Sequence, residues 1–130
     1  MPTPSKPFVL LHHVLSDKEH WDLCLDLGDM LATWQIAADP LKNPSAGEPP
    51  GRPARRIGDH RRAYLDYEGE VSGNRGTVQR VDQGLWQPIE QAEDGWRVRL
   101  DGRHLKGVYQ LPGGNTPGEF VLVPWERPEF

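Results

Sequence analysis

The chain has 130 residues, a formal net charge of −4, fourteen glycines, thirteen prolines and a single cysteine. That length suits one domain with a modest core rather than two layers and an elaborate lid, and the negative charge argues against broad, charge-driven wrapping of nucleic acid while leaving room for a local basic site. One cysteine excludes an intramolecular disulfide framework and fits a reducing cytoplasm; no signal-peptide pattern opens the chain, and no apolar run approaches the roughly 18–20 residues of a membrane span.

Residues 1–7 read as a loose tail, 8–124 as the folded domain and 125–130 as a second tail. Phe8 to His13 is an apolar run ending in two histidines, and it reads as a strand. From His20 to Leu27 the sequence alternates strictly. In a strand, Trp21, Leu23, Leu25 and Leu27 point one way and His20, Asp22, Cys24 and Asp26 the other. Gly28-Asp29 marks a hairpin turn, and Met30 to Ile36 returns as a strand carrying Trp34. Pro40 to Pro53, rich in Pro, Gly, Asn and Ser, reads as a long surface loop.

A basic cluster follows: Arg52, Arg55, Arg56, His60, Arg61 and Arg62. Asp59 to Tyr67 is expected to form a short helical turn, with His60 and Tyr64 on one side at i, i+4. Gly73 to Gly76 is a tight turn, a reading preferred over an anion-binding nest. Thr77 to Val81 reads as a strand, turned by Asp82-Gln83-Gly84 into Leu85-Trp86. Trp96 to Leu100 alternates, Asp101-Gly102 turns the chain into Leu105 to Leu111, Pro112 to Gly118 is a loop, and Phe120 to Val123 is a last strand. Trp34, Trp86 and Trp96 are assigned to the core and His104 to the surface. Seven to nine short strands at this spacing predict a mainly β fold, a compact antiparallel β-barrel with one or two short helices.

The chemistry concentrates at His20 and Asp22, which share a strand face beside a histidine from the preceding segment. Two imidazoles and a carboxylate suit a divalent transition metal with open coordination positions, which is the requirement for hydrolytic chemistry. His12 and His13 are adjacent, so only one of them faces the site, and parity alone does not choose between them. Cys24 lies on the same face and offers a fourth, softer ligand, although a small buried thiol is the preferred reading. Arginine-rich segments are usually solvated surface, but the arginines here sit between a loop and His60, within reach of a phosphate in principle.

Taken in order, these motifs resemble the 3′-phosphoesterase domain of bacterial DNA ligase D and its relatives. The resemblance rests on Phe8 to His13; His20-Trp21-Asp22; Thr33-Trp34; Asp59-His60 with Tyr64; Tyr67-Glu68-Gly69; Gly76-Thr77-Val78; and Leu105-Lys106-Gly107. The wording of these motifs looks most like the short stand-alone branch. The resemblance implies a compact β-barrel holding Mn²⁺, with Zn²⁺ as the alternative, on His13, His20 and Asp22. It implies that His60 and Tyr64 face the scissile phosphate, and that Arg52 binds phosphate with Arg55 or Arg56 as substitutes. It further implies removal of a ribonucleoside or phosphate from a primer–template 3′ end during DNA repair, with separate ligase or polymerase proteins as partners and no membrane.

The chain departs from the family in three places. The first two histidines are seven residues apart where the family has six, the glycine turn is shorter, and Cys24 stands where the family carries a phosphate-contacting arginine. That last departure supports a second reading, a metal- or phosphate-binding module of the same fold with little or no turnover. If the enzyme reading holds, activity is expected to be slower than in relatives carrying the arginine, and Cys24→Arg is expected to raise it provided the pocket has room.

Overall fold

The computed structural model describes residues 5–43, 46–47, 51–114 and 117–123. Both expected tails therefore lie largely outside the described residues, as does part of the 40–53 loop. Among the described residues nine strands run in chain order: β1 (Lys6–Val14), β2 (Glu19–Asp26), β3 (Leu31–Ile36), β4 (Arg52–His60), β5 (Gly69–Glu70), β6 (Thr77–Ala92), β7 (Gly95–Gly102), β8 (Lys106–Pro112) and β9 (Gly118–Val123). Lys6 and Pro7, read above as tail, belong to β1. The described residues contain no α-helix; the only helical element is one 3-10 turn, Arg62–Leu65. No helix among them is long and apolar enough to cross a membrane.

All pairings are antiparallel and form a single sheet in the order β1-β2-β3-β4-β9-β8-β7-β6-β5. A further β1–β6 pairing joins the ends, so eight strands close into a ring and β5 hangs outside it. β6 makes the closure possible. Its first part pairs with β1 as far as Trp86, and its second part pairs with β7 from Gly84 onward. The expected turn at Asp82-Gln83-Gly84 is therefore absent, and the strand continues through it. The turn-like residues serve long-range contacts instead. The Asp82 carboxylate accepts N–H groups of Gln83, Arg103, His104 and Leu105, clamping the β7–β8 turn. Gly84 lets the β7 backbone approach, since a Cβ there would collide with the Asp101 carbonyl and Gly102.

Alternation sorts the side chains into two sets. Phe8, Leu10, Trp21, Leu23, Leu25, Trp34, Ile36, Trp86, Val98, Leu100 and Leu111 point into the ring and form the main core. The opposite set on β1 to β3 should face solvent. Val9, Leu11, Cys24 and Leu31 are buried nonetheless, because Tyr64 and Leu65 pack over them as a smaller apolar cluster. The connection after β4 thus folds back across the outer face of the sheet. Asp26 anchors it: Arg62 donates from Nε at 2.9 Å and from Nη2 at 3.1 Å to the two carboxylate oxygens.

Candidate active site

Between that connection and the outer sheet face lies a cavity of about 360 Å³. β1 contributes His13, β2 His20 and Asp22, β3 Gln35 and the end of β4 His60, while the covering segment contributes Arg61 and Tyr64 and the glycine turn before β6 contributes Arg75. Strand register brings the first three together. His13 lies directly opposite His20 in the β1–β2 pair, and Asp22 is two residues further along the same face of β2.

His13 Nδ1 is 3.1 Å from His20 Nε2 and 3.9 Å from Asp22 Oδ2; His20 Nε2 is 3.4 Å from Asp22 Oδ1. One donor atom from each residue fits within a 4.8 Å cluster. His60 reaches the same carboxylate from the other side, Nε2 to Oδ2 at 4.0 Å, with the Tyr64 ring centred 5.6 Å away. His12 has the opposite orientation. It stacks on Trp21 at 4.7 Å and pairs with Glu19 at 2.7 Å, which settles the choice that parity left open.

Two details bear on whether a cation fits. The Asp22 side chain is only 4% exposed, and its Oδ1 accepts no hydrogen bond from any described residue. A buried carboxylate oxygen in that state is costly unless a cation completes it. The His13 Nε2–H donates to the Arg75 carbonyl at 2.5 Å, which leaves the Nδ1 lone pair directed at His20 and Asp22. Two imidazole nitrogens, hydrogen-bonded to each other at 3.1 Å, and a carboxylate oxygen converge within 4.8 Å, and once both nitrogens are deprotonated this donor set suits a divalent ion.

The arginines are arranged differently from the expectation. None of Arg52, Arg55 and Arg56 lines this cavity. Arg52 is buried at the start of β4, donating to the Asp39 carbonyl from Nε at 3.3 Å and to the Lys42 carbonyl from Nη2 at 2.5 Å. Arg56 points into the ring, lies over Trp34 at 4.8 Å, and pairs with Asp59 at 2.8 Å. Arg55 points outward but lies on a neighbouring shelf. The basic groups at the cavity are Arg61, immediately after His60, and Arg75 in the glycine turn. The sequence did carry Arg61 within the basic cluster, but only the end of β4 at His60 shows that this residue turns over the site.

Cys24 does not reach the cavity. It is fully buried under Leu11, Leu31 and Tyr64, and accepts a weak hydrogen bond from the Thr33 hydroxyl at 3.8 Å. Burial, reinforced by the Asp22 charge, pushes its thiol far above the usual range, so it is a neutral core group. A larger cleft of about 900 Å³ elsewhere on the ring is lined by Glu93, Asp94 and Glu119 against a single arginine, Arg56, which is already paired with Asp59, so its net sign is wrong for a phosphate ligand.

The fold and site together define a β-ring protein with a histidine–carboxylate centre on the outer face of its sheet. Residues 11–112 match the profile of the DNA ligase D 3′-phosphoesterase domain, and the chain belongs to that family. The match supports a phosphoesterase role in nucleic-acid end processing and a nucleic-acid 3′ end as the kind of substrate. No individual curated protein matches the chain.

Proposed function

We propose that this protein is a metal-dependent phosphoesterase that trims nucleic-acid 3′ ends, removing a 3′-phosphate or a terminal ribonucleoside to leave a 3′-hydroxyl in DNA repair. The observation that carries this reading is the buried Asp22 carboxylate, whose Oδ1 accepts no hydrogen bond and lies 3.4 Å from His20 Nε2 while its Oδ2 lies 3.9 Å from His13 Nδ1, in a chain of a phosphoesterase family. His13 Nδ1, His20 Nε2 and an Asp22 oxygen would hold the ion, with Mn²⁺ the first choice and Zn²⁺ the second. A divalent ion there supplies a Lewis acid that polarises a phosphoryl oxygen.

The remaining work falls to this chain's own groups. Arg61, at the cavity mouth without an ion pair to any described residue, is placed to bind the equatorial phosphoryl oxygens and stabilise their growing charge. For a 3′-phosphate, hydrolysis forms one P–O bond to water and breaks the P–O3′ bond; for a terminal ribonucleoside it breaks that nucleoside's P–O5′ bond and leaves a 3′-phosphate for the first reaction to remove, and in either case the leaving oxygen must take a proton. His60 is the group placed to give it, held between the Asp22 carboxylate and the Tyr64 ring. A separate ligase or polymerase would then use the clean 3′-hydroxyl.

The test is turnover on a primer–template carrying either a 3′-phosphate or a 3′-terminal ribonucleotide, with and without Mn²⁺, beside His20→Ala. Mn²⁺-dependent product from wild type alone supports the proposal; equal rates from wild type and His20→Ala would remove it. A second reading, a binding module with little turnover, draws on Cys24: the family's arginine is replaced by a buried thiol that cannot touch phosphate. Metal binding without turnover in the same experiment selects that reading.

A further inference from the structure

The catalytic cavity does not end at the metal-type cluster. His20 and Gln35 also line an adjoining shelf of about 590 Å³, which continues along the outer face toward the β1–β2 turn. Lys18 and Arg55 stand on this shelf, and neither side chain has a hydrogen bond or ion pair to any described residue. The shelf's one carboxylate, Glu19, is engaged with His12. Register fixes the geometry: Asp22 pairs with Gln35 and Gln35 with Arg55, so the three form a row across β2, β3 and β4 on one face. Arg55 therefore stands two strand spacings, about 10 Å, from the metal-type centre. Gln35 lies between them as a neutral hydrogen-bonding group.

We propose that this shelf binds the phosphodiester backbone of the substrate strand just 5′ of the 3′ terminus, with Arg55 contacting an internal phosphate and Lys18 adding a second positive charge. The proposal rests on the 3′-end reading of the cavity and deepens it, because it names the groups of this chain that would hold the strand 5′ of the terminus. Two unpaired cations on one shelf that adjoins the centre, Arg55 across the strands from it and Lys18 at the β1–β2 turn, suit contacts to a strand's backbone, in a chain too acidic for unspecific wrapping. Phosphate contacts of this kind act through charge, with no base preference.

Binding rather than turnover provides the test, so that its outcome is separable from the catalytic reading. The probes are fluorescent single-stranded DNAs of increasing length ending in a 3′-hydroxyl, the product end. Kd is measured across a salt series for wild type, Arg55→Gln, and Arg97→Gln as a charge-matched control. Arg97 is exposed on β7, across the ring from β3.

The wild type should bind more tightly as nucleotides are added 5′ of the terminus. Arg55→Gln should weaken binding about 5-fold at low salt, the upper range for one exposed charge contact. It should also lower the slope of log K against log salt by about 0.7, the single-strand value for one phosphate, while Arg97→Gln leaves that slope unchanged. An unchanged slope and length dependence in Arg55→Gln would overturn the proposal, and so would equal losses in both variants. This result is independent of whether any substrate is hydrolysed.

Discussion

His13 and Arg75 are 62 residues apart, yet the His13 imidazole donates its Nε2–H to the Arg75 carbonyl at 2.5 Å. The glycine turn thus orients a histidine on β1 across the cavity. The turn is held by Val71 N–H to the Gly76 carbonyl at 2.8 Å and by Arg75 Nε to the Ser72 carbonyl at 2.7 Å. Gly76 has φ +82°, and a Cβ there would run into the Val14 carbonyl. Gly76→Ala should therefore shift the Arg75 carbonyl and loosen His13 without touching a ligand atom. Losing such an outer partner typically weakens metal affinity about 10- to 100-fold. Calorimetric Mn²⁺ titration of Gly76→Ala against wild type checks this; equal affinities would show that the carbonyl does not orient His13.

Mn²⁺ itself should stabilise the fold. An ion that binds only the folded state adds about 2.7 kcal/mol at a hundredfold excess over its Kd. Asp22→Asn keeps the side-chain shape, removes the charge, and should abolish that gain. Thermal melts of both proteins with Mn²⁺ and with chelator test this prediction. A wild type that melts at the same temperature in both conditions would show that His13, His20 and Asp22 hold no ion.

How much of this was legible in the sequence depended on whether a residue's role is local. The alternation from His20 to Leu27 put His20 and Asp22 on one face and the leucines on the other, which is how β2 is built. Asp82-Gln83-Gly84 misled because the same residue types make turns and long-range clamps; Asp82 caps a turn about twenty residues away. Arg52 misled for a similar reason. The family resemblance implied a phosphate-binding role for it, but the sequence does not reveal that the Asp39 and Lys42 carbonyls lie within its reach. Burial of Cys24 was expected of a thiol, whereas its cover, Tyr64 and Leu65, depends on how the connection after β4 folds back.

Arg61 and Arg52 should separate by the kind of defect they produce. Arg61→Gln should lower kcat/KM on a 3′-phosphate about 10- to 100-fold if its contact forms in the transition state, the range for a charge-assisted bond worth about 1.5–3 kcal/mol. Its melting temperature should stay near that of wild type, since the guanidinium has no partner among the described residues. Arg52→Ala should instead leave two backbone carbonyls short of a donor and cost about 1–3 kcal/mol of stability. Kinetics and melts on both variants decide the matter; a purely kinetic defect in Arg52→Ala would return it to the phosphate site.

The Asp26–Arg62 pair ties the covering segment to the sheet, and it gives the stability a predictable acid limb. Burial pushes the Asp26 carboxyl up, but the Arg62 hydrogen bond, the Gly28 N–H and the Arg62 and Lys6 charges outweigh it and hold the group below the usual carboxylate range. A carboxyl with a lowered folded pKa contributes stability that is full above its unfolded value, about 3.9, and is lost as pH falls through the folded value. In Arg62→Gln burial should dominate, so the acid limb should move to higher pH. Denaturant melts from pH 3 to 7 read this directly. Coincident acid limbs in the two proteins would mean that the pair does not stabilise the covering segment.

Cys24→Arg is the decisive substitution for the family's missing arginine, and the structure reverses what the sequence led one to expect of it. The pocket has no room. Cys24 has no solvent exposure and is enclosed by Val9, Leu11, Leu31, Tyr64 and Leu65. A guanidinium there must either remain buried without a full set of acceptors or push the Tyr64–Leu65 cover off the sheet. Leaving a buried charge uncompensated is destabilising by about 3–5 kcal/mol, and moving the cover would displace His60 and Arg61 together with Tyr64. Cys24→Arg should therefore melt well below wild type and lose turnover rather than gain it. Cys24→Ser is the size-matched control: a hydroxyl of similar volume beside the Thr33 hydroxyl should cost far less. If Cys24→Arg instead melts like wild type and hydrolyses a 3′-phosphate faster, the arginine has found a path to the cavity, and the close packing over Cys24 is not what sets this protein apart from its family.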